Sequence, residues 1–405
     1  MKKTAKLGFI GLGRRNTVYA RNLLGQFGKK IQIAAVCDVD ETRIREFLSL
    51  YGGPGIASYT DFKALLSEQD DLDGYLIAPP NNLHEELAVP FLEAGKTMLL
   101  EKPLAHTARS CMRLAGVYDK SASRVTLGFV LRYTPFYRKV KQLLDEGAIG
   151  DVKVLSADEV VGPVLSSVFF RTWRGKKRIT GDLLLEKCCH DLDLILNMLE
   201  LPPLRVAAFG ARNHYTPREG HGPSCEKCSH NEACAFSTVL WKRQYSRGED
   251  NGEFEYVDFD DDKCVYNDDH DVADRQSQII EFEGNIPVMF NVTLGGPDTR
   301  RTIDIVGTEG RIVGDFRENR LLVYRPGEPS PEEIRIHHEK SGHGGGDSVI
   351  VRSFIQSIED KDYRPEAGFK DGLKSALLAF ACDRARDEGR VTAIDYLDEI
   401  EPIRD

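Results

Sequence analysis

"KLGFIGLGRRN", residues 6–16, decides how this chain begins to fold. An apolar run passes straight into Gly11-x-Gly13-x-x-Asn16, and a helical pattern follows from Thr17 to Phe27. Glycines at 11 and 13 permit a tight turn that brings backbone N–H groups and a helix N-terminus against a pyrophosphate. Asn16 stands where a third glycine is usual, and a small polar residue can still start the helix. Next comes "IQIAAVCDVD", a second strand ending at Asp38. An acid there accepts hydrogen bonds from both ribose hydroxyls, which favours NAD over NADP. "DGYLIAPP" (73–80) and "KTMLLEKPL" (96–104) read as further buried parallel strands with helical segments between them. A doubly wound sheet follows, with ligands at the C-terminal ends of its strands.

The rest of the chain exceeds one such domain. At 405 residues two domains are the natural division. A composition of 41% hydrophobic and 29% charged residues is that of a globular protein. The net charge of -10 argues against nucleic-acid binding, which needs a basic surface. No apolar run has the length of a membrane span. The basic, apolar start "MKKTAKLGFIGLG" is too short in its apolar part for a signal peptide, so a cytoplasmic protein is expected.

"LLLEKCCHDLD" (183–193) crowds an acid, a lysine, two cysteines and a histidine together. Placed on one helix over 184–199, Leu184, Leu185, Cys188, Cys189, Leu192, Ile195, Leu196 and Leu199 fill an arc of about 140°. Glu186, His190, Asp193 and Asn197 form a stripe about 60° wide facing a cleft. The cysteines thus belong to the packed face and fill core. Glu186 and His190, at i and i+4, are expected to touch, the acid orienting the imidazole. Lys187 is open between a second active-site cation and a surface lysine.

Residues 213–274 are too long and irregular for a simple strand connection. Cys225-x2-Cys228-x5-Cys234, with Cys264 later, suits a tetrahedral thiolate zinc site. The alternatives are free thiols, or His221 or His230 in place of Cys264. The acidic run "DFDDDKCVYNDDHD" (258–271) has no EF-hand spacing and reads as solvated surface. Trp173 and Arg174, in "FFRTWRG", suit sugar rings and hydroxyls, or alternatively a packed tryptophan beside a surface arginine. The glycines of "SGHGGGD" (341–347) permit a loop at the cleft that carries His343.

"EKP" at 101–103 ends a buried strand at the ligand edge, and "APPNNLH" (78–84) ends the strand before it. With "LRYTPFYRKVKQLLDEGAIGDV" (131–152), these motifs resemble the glucose–fructose oxidoreductase/inositol dehydrogenase (Gfo/Idh/MocA) family over nearly the whole length. The resemblance implies an NAD-binding Rossmann domain over 1–128. It implies an α+β substrate and oligomerisation domain over 129–405, with an open, mostly antiparallel sheet and the cysteine insert at 213–274. The C-terminal segment would pack back on the first domain. Gly11, Gly13, Arg14, Asn16, Asp38, Pro79, Asn81, His84, Glu101 and Lys102 would hold the cofactor. Lys102, Glu186 and His190 would be catalytic, with Glu186 replacing the usual aspartate. Tyr133, Trp173, Arg174, Asp193 and His343 would face substrate.

The reading is therefore an NAD-dependent oxidoreductase of a secondary hydroxyl on a sugar, cyclitol or glycoside, acting as a homo-oligomer. Its rivals are glycoside cleavage by transient oxidation and elimination, and a non-catalytic NAD-binding scaffold. The Asp38 carboxylate should repel the extra phosphate of NADP, so NAD binds more tightly and Asp38→Ala narrows the preference. Calorimetry with both dinucleotides checks this, and equal affinity of the unaltered protein for NADP contradicts it.

Overall fold

The computed structural model describes residues 4–53, 55–247, 261–267, 269–337 and 342–394. The first six strands are β1 (Ala5–Ile10), β2 (Ile31–Cys37), β3 (Ala57–Tyr59), β4 (Gly74–Ile77), β5 (Thr97–Leu100) and β6 (Arg124–Leu127). They form one parallel sheet in the order β3-β2-β1-β4-β5-β6. Helices cover both faces, so β4 and β5 are buried at every position rather than alternately. The order reverses between β1 and β4, and the carboxyl ends of strands at such a reversal are where ligands of doubly wound sheets bind. Gly11, Asp38, Ala78 and Glu101 each follow directly on one of these strands.

The second sheet is built from β7 (Val152–Val161), β8 (Pro203–Ala211), β9 (Arg275–Phe282), β10 (Ile286–Leu294), β11 (Arg300–Gly307), β12 (Arg311–Asp315), β13 (Arg320–Tyr324), β14 (Glu332–Arg335) and β15 (Thr392–Ala393). Its order is β14-β13-β12-β11-β7-β10-β9-β8-β15, antiparallel except for β7 with β10. Strand β9 alternates exposed and buried residues, as expected when helices cover one face only. Among the described residues no helix is long and apolar enough to cross a membrane.

Two C-terminal helices join the halves. Gly346–Glu359 packs on the helix Arg14–Phe27 and on β5 and β6. Phe369–Glu388 packs on β6, on β8 and on the helix Cys189–Leu199. Residues 395–405, the remainder of the C-terminal segment, lie outside the described residues, as do 248–260 and 268 of the acidic stretch and Ser341.

Two residues expected at the substrate turn out to be joints of this framework. Asp193 is 1% exposed and accepts from Arg132 Nε and Nη2, both at 2.7 Å. Arg132 also donates to Glu366 O at 2.6 Å and to Asp371 Oδ1 at 3.0 Å. Tyr133 is wholly buried, and its hydroxyl accepts the Ala367 N–H at 3.2 Å. A second correction concerns the helix over 184–199, which is two helices, Leu183–Glu186 and Cys189–Leu199. Cys188, with φ -98° and ψ 6°, leaves the helical region between them.

Removing one partner of a buried ion pair strands the other, at a cost of about 3–5 kcal/mol. Arg132→Met is therefore expected to lower stability by about that amount in urea unfolding. Asp193→Asn should also destabilise but leave KM of the folded enzyme unchanged; a raised KM with full stability would return Asp193 to the substrate pocket.

Candidate active site

The glycine turn is held from both sides. Gly11 has φ +76°, and a Cβ there would lie 2.9 Å from the Ala78 backbone, so no other residue fits. A Cβ on Gly13 would meet nothing within 4 Å, leaving open space over the turn. Asn16 is wholly buried, and its Nδ2 donates to Ile10 O and Gly11 O, each at 2.9 Å. It braces the turn from beneath rather than reaching into the crevice. Asp38 accepts the Leu12 N–H at 2.7 Å and the Asp40 N–H at 3.0 Å, one on each oxygen. Those oxygens keep further lone pairs for a ribose. Arg14 is exposed at the start of the helix. These features suit a dinucleotide: a bare turn at a helix N-terminus with a fixed acid beside it.

At the neighbouring strand ends, Pro79 is half-buried, while His84 is wholly buried with Nε2 3.2 Å from Pro79 O. His84 thus supports the loop rather than facing a cofactor. The Lys102–Pro103 peptide is cis. Glu101 accepts from Arg15 Nε at 2.8 Å, from the Tyr19 hydroxyl, and from the Lys102 N–H at 3.0 Å. Arg15 also donates to Asp347 Oδ1 at 2.9 Å, and Asp347 Oδ2 lies 2.9 Å from His343 Nδ1. The glycine loop thereby meets the cofactor turn. Arg15 and Asp347 were not singled out from sequence; the only signal was a basic residue just after the glycine motif and an acid ending "GHGGGD".

Glu186 forms no hydrogen bond or ion pair with His190. Its Oε2 accepts from Asn81 Nδ2 at 2.7 Å, and its Oε1 accepts from Arg174 Nε at 3.1 Å. Lys102 Nζ donates to Glu186 O at 2.6 Å and lies 3.8 Å from Oε2. Arg174 in turn lies over the Trp173 ring, 4.5 Å from its centroid. The break at Cys188 explains the correction: with the helix interrupted, i and i+4 no longer share a face. The expected orienting acid is instead a counter-charge for Lys102 and Arg174. Burial works against the Lys102 ammonium, but Glu186 and Glu101, with Cys189, together outweigh it and raise its pKa.

His190 stands at the start of the second helix, its ring 5.7 Å from that of Phe129. Its Nδ1 is buried with no hydrogen-bond partner. Burial, then the positive charges of Lys102 and Arg301, hold its pKa well below the ordinary value, so the ring is neutral at pH 7. Beside it runs a buried charge network. Lys187 Nζ lies 2.8 Å from Glu159 Oε1, and Arg301 pairs with both Glu159 and Asp191. Lys187 is therefore no surface lysine: of the two alternatives the cation beside the site remains, tied to Glu159 and acting on His190. Burial pushes Asp191 up to about 7, whereas Arg301 and Lys187 hold Glu159 low despite its burial. Cys188 and Cys189 are wholly buried, and burial raises both thiols, which fits packing rather than redox work.

Among the described residues, one trio offers metal-ligand atoms within 4.8 Å of one another: Glu159, Cys188 and Asp191. Two cations already pair with its carboxylates, so a metal ion would meet like charge there. Cys225, Cys228, Cys234 and Cys264 do not meet that spacing, but all four line one small cavity with Arg171 and Tyr266.

Known proteins share both halves of this arrangement. The oxidoreductase family with an NAD-binding Rossmann fold matches residues 5–129, and its C-terminal alpha/beta domain matches 141–394. A putative oxidoreductase, YteT, of Bacillus subtilis is 24% identical, covering 91% of this chain and 93% of its own. The myo-inositol 2-dehydrogenase of Thermotoga maritima is 29% identical, covering 96% and 98%. A levoglucosan dehydrogenase solved with NADH and levoglucosan superposes with a TM-score of 0.74 at 19% identity, covering 96% of this chain and 99% of its own. The chain belongs to the Gfo/Idh/MocA family of NAD(P)-dependent oxidoreductases.

Proposed function

We propose that the chain oxidises a secondary hydroxyl of a sugar, cyclitol or glycoside with NAD. The observation that carries this reading is the meeting of Lys102, Glu186, Arg174 and neutral His190 beside the glycine turn. When bound, the nicotinamide supplies the two-electron acceptor. Gly11, Gly13 and Asp38 would hold the dinucleotide, with Lys102 at its reacting end.

Oxidation of an alcohol leaves negative charge on the substrate oxygen as its proton departs. Lys102, charged and held by Glu186, stabilises that oxygen by donating to it. His190, neutral, takes the hydroxyl proton. The imidazolium so formed is disfavoured by its surroundings, so His190 gives the proton up readily. Trp173 and Arg174 supply an aromatic face and a guanidinium for the ring and its other hydroxyls, with His343 at the opposite loop. Nine cysteines without a disulfide among them suit a reducing cytoplasm.

His190→Asn and Lys102→Met should each lower kcat/KM by about a hundredfold or more, with NAD binding retained. Glu186→Gln should cost less than Lys102→Met, because the amide still accepts from one donor. The base must be neutral to act, so kcat/KM rises with pH through the pKa of His190. Because that pKa is depressed, the acid limb should lie below pH 6.5. A limb above pH 7 that vanishes in His190→Asn would contradict the assignment. Glycoside cleavage without NADH formation would replace net oxidation by the elimination route, and inertness across a broad sugar panel would leave a scaffold.

We also propose self-association through the outer face of the second sheet, where Phe209 and Ile279 are 78% and 56% exposed. Light scattering should show an oligomer that Phe209→Asp with Ile279→Asp dissociates. A monomeric unaltered protein contradicts this.

A further inference from the structure

The oxidoreductase reading leaves the insert's cysteines unused, yet the fold gathers them. The Cys225 N–H donates to Asp262 O at 2.8 Å, and the Cys264 N–H donates to Pro223 O at 3.0 Å, which ties the two segments side by side. A turn closed by the Cys228 N–H on Cys225 O, at 3.2 Å, brings Cys228 back toward Cys225. Cys234 ends a further turn, its N–H on His230 O at 2.9 Å. All four then line the same cavity.

Arg171 is the unexpected member of that lining. It is 7% exposed and ends the helix Pro163–Arg171. Its Nε donates to Lys263 O at 2.7 Å, and its Nη2 donates to Phe236 O and to Cys225 Sγ, the latter at 3.4 Å. Its Nη1 is buried with no hydrogen-bond partner. A buried guanidinium calls for a nearby negative charge. Asp261 is one such charge, and a divalent ion with four thiolates, of net charge about −2, would be a second at the Cys225 side of the guanidinium.

We propose that Cys225, Cys228, Cys234 and Cys264 bind one zinc ion as a tetrahedral thiolate site, with Arg171 as its buried counter-charge. Binding replaces the thiol protons, which leave to solvent, by four Zn–S bonds. Bonds of about 2.3 Å set the sulfurs about 3.8 Å apart, so the ion draws the cluster tighter than it stands. The site holds together segments that are too polar to pack alone. It also acts at a distance from the chemistry. Arg171 is separated by Thr172 alone from the pair Trp173 and Arg174, and Arg174 holds Glu186. The staple therefore positions one wall of the cleft, and this second part rests on the proposed role of that wall.

Protein purified without added metal should carry about one zinc per chain by elemental analysis. The four insert thiols should resist a disulfide reagent until a mercurial releases the zinc. Cobalt exchanged for zinc should give the near-ultraviolet charge-transfer bands of tetrahedral thiolate ligation. Cys228→Ser should lose the metal, whereas Cys382→Ser, a buried cysteine in a distant helix, should keep it. If Cys228→Ser does not fold, the metal count and thiol titration of the unaltered protein decide. No metal after incubation with zinc, together with four freely reacting thiols, overturns the site. A nitrogen ligand in the zinc X-ray absorption spectrum overturns the four-cysteine assignment. The link to the cleft is read in Trp241→Phe, where Trp173 is the remaining tryptophan. Its emission should shift and KM should rise on metal release; unchanged emission overturns the link, whatever the enzyme's substrate proves to be.

Discussion

The buried carboxylate of Glu186 is the joint on which the active site depends. A carboxylate that is 4% exposed is costly unless several donors meet it. Here the donors Asn81 and Arg174 and the counter-charge of Lys102, 3.8 Å from Oε2, come from both halves of the chain: Asn81 and Lys102 follow strands of the parallel sheet, and Arg174 precedes the break in the second-domain helices. No one domain satisfies the charge. Assembling the cleft and satisfying Glu186 are consequently the same event, because its two carboxylate oxygens accept from Asn81 and Arg174 while Lys102 donates to its main-chain carbonyl.

His190 shows the other use of burial. The same low-dielectric surroundings that strengthen the Lys102–Glu186 pair remove charge from the imidazole, because its neighbours Lys102 and Arg301 are cations. Two basic groups close together thus acquire opposite protonation states. The lysine stays charged because an acid faces it; the histidine stays neutral because none does. Had Glu186 touched His190, as an unbroken helix would have required, that division would be lost.

The sequence revealed whatever depended on local pattern. Strand–glycine–helix order placed Gly11, Gly13 and Asp38 at the ends of β1 and β2, and "EKP" lies at the end of β5. The alternation of apolar residues correctly set Cys188 and Cys189 in the core. It could not reveal the break at Cys188, because the periodicity of 184–199 is the same whether or not one ψ angle leaves the helix. Nor could it reveal partners remote in sequence. Asp193 looked free for substrate until Arg132, 61 residues earlier, took both its oxygens. Lys187 had no role until Glu159 on β7 came beside it. Asn16 and His84 match the motif by position, yet they serve it from within the core.

Arg15 shows why such remote pairs matter for chemistry. It sits two residues past Gly13 and binds Glu101, whose backbone continues directly into Lys102. Its other bond, to Asp347, is to a residue 332 positions away that also holds His343. One guanidinium thereby connects the glycine turn, the strand end that carries Lys102, and the glycine loop of residues 342–346. Burial opposes ionisation of Glu101 and of Asp347, but Arg15 helps to keep both below the ordinary carboxylate range. Each acid alone would be an expensive buried charge, and the arginine alone likewise. Joined, they make the relative position of three distant segments a condition of electrostatic balance, and the glycines at 344–346 allow the backbone to meet that condition.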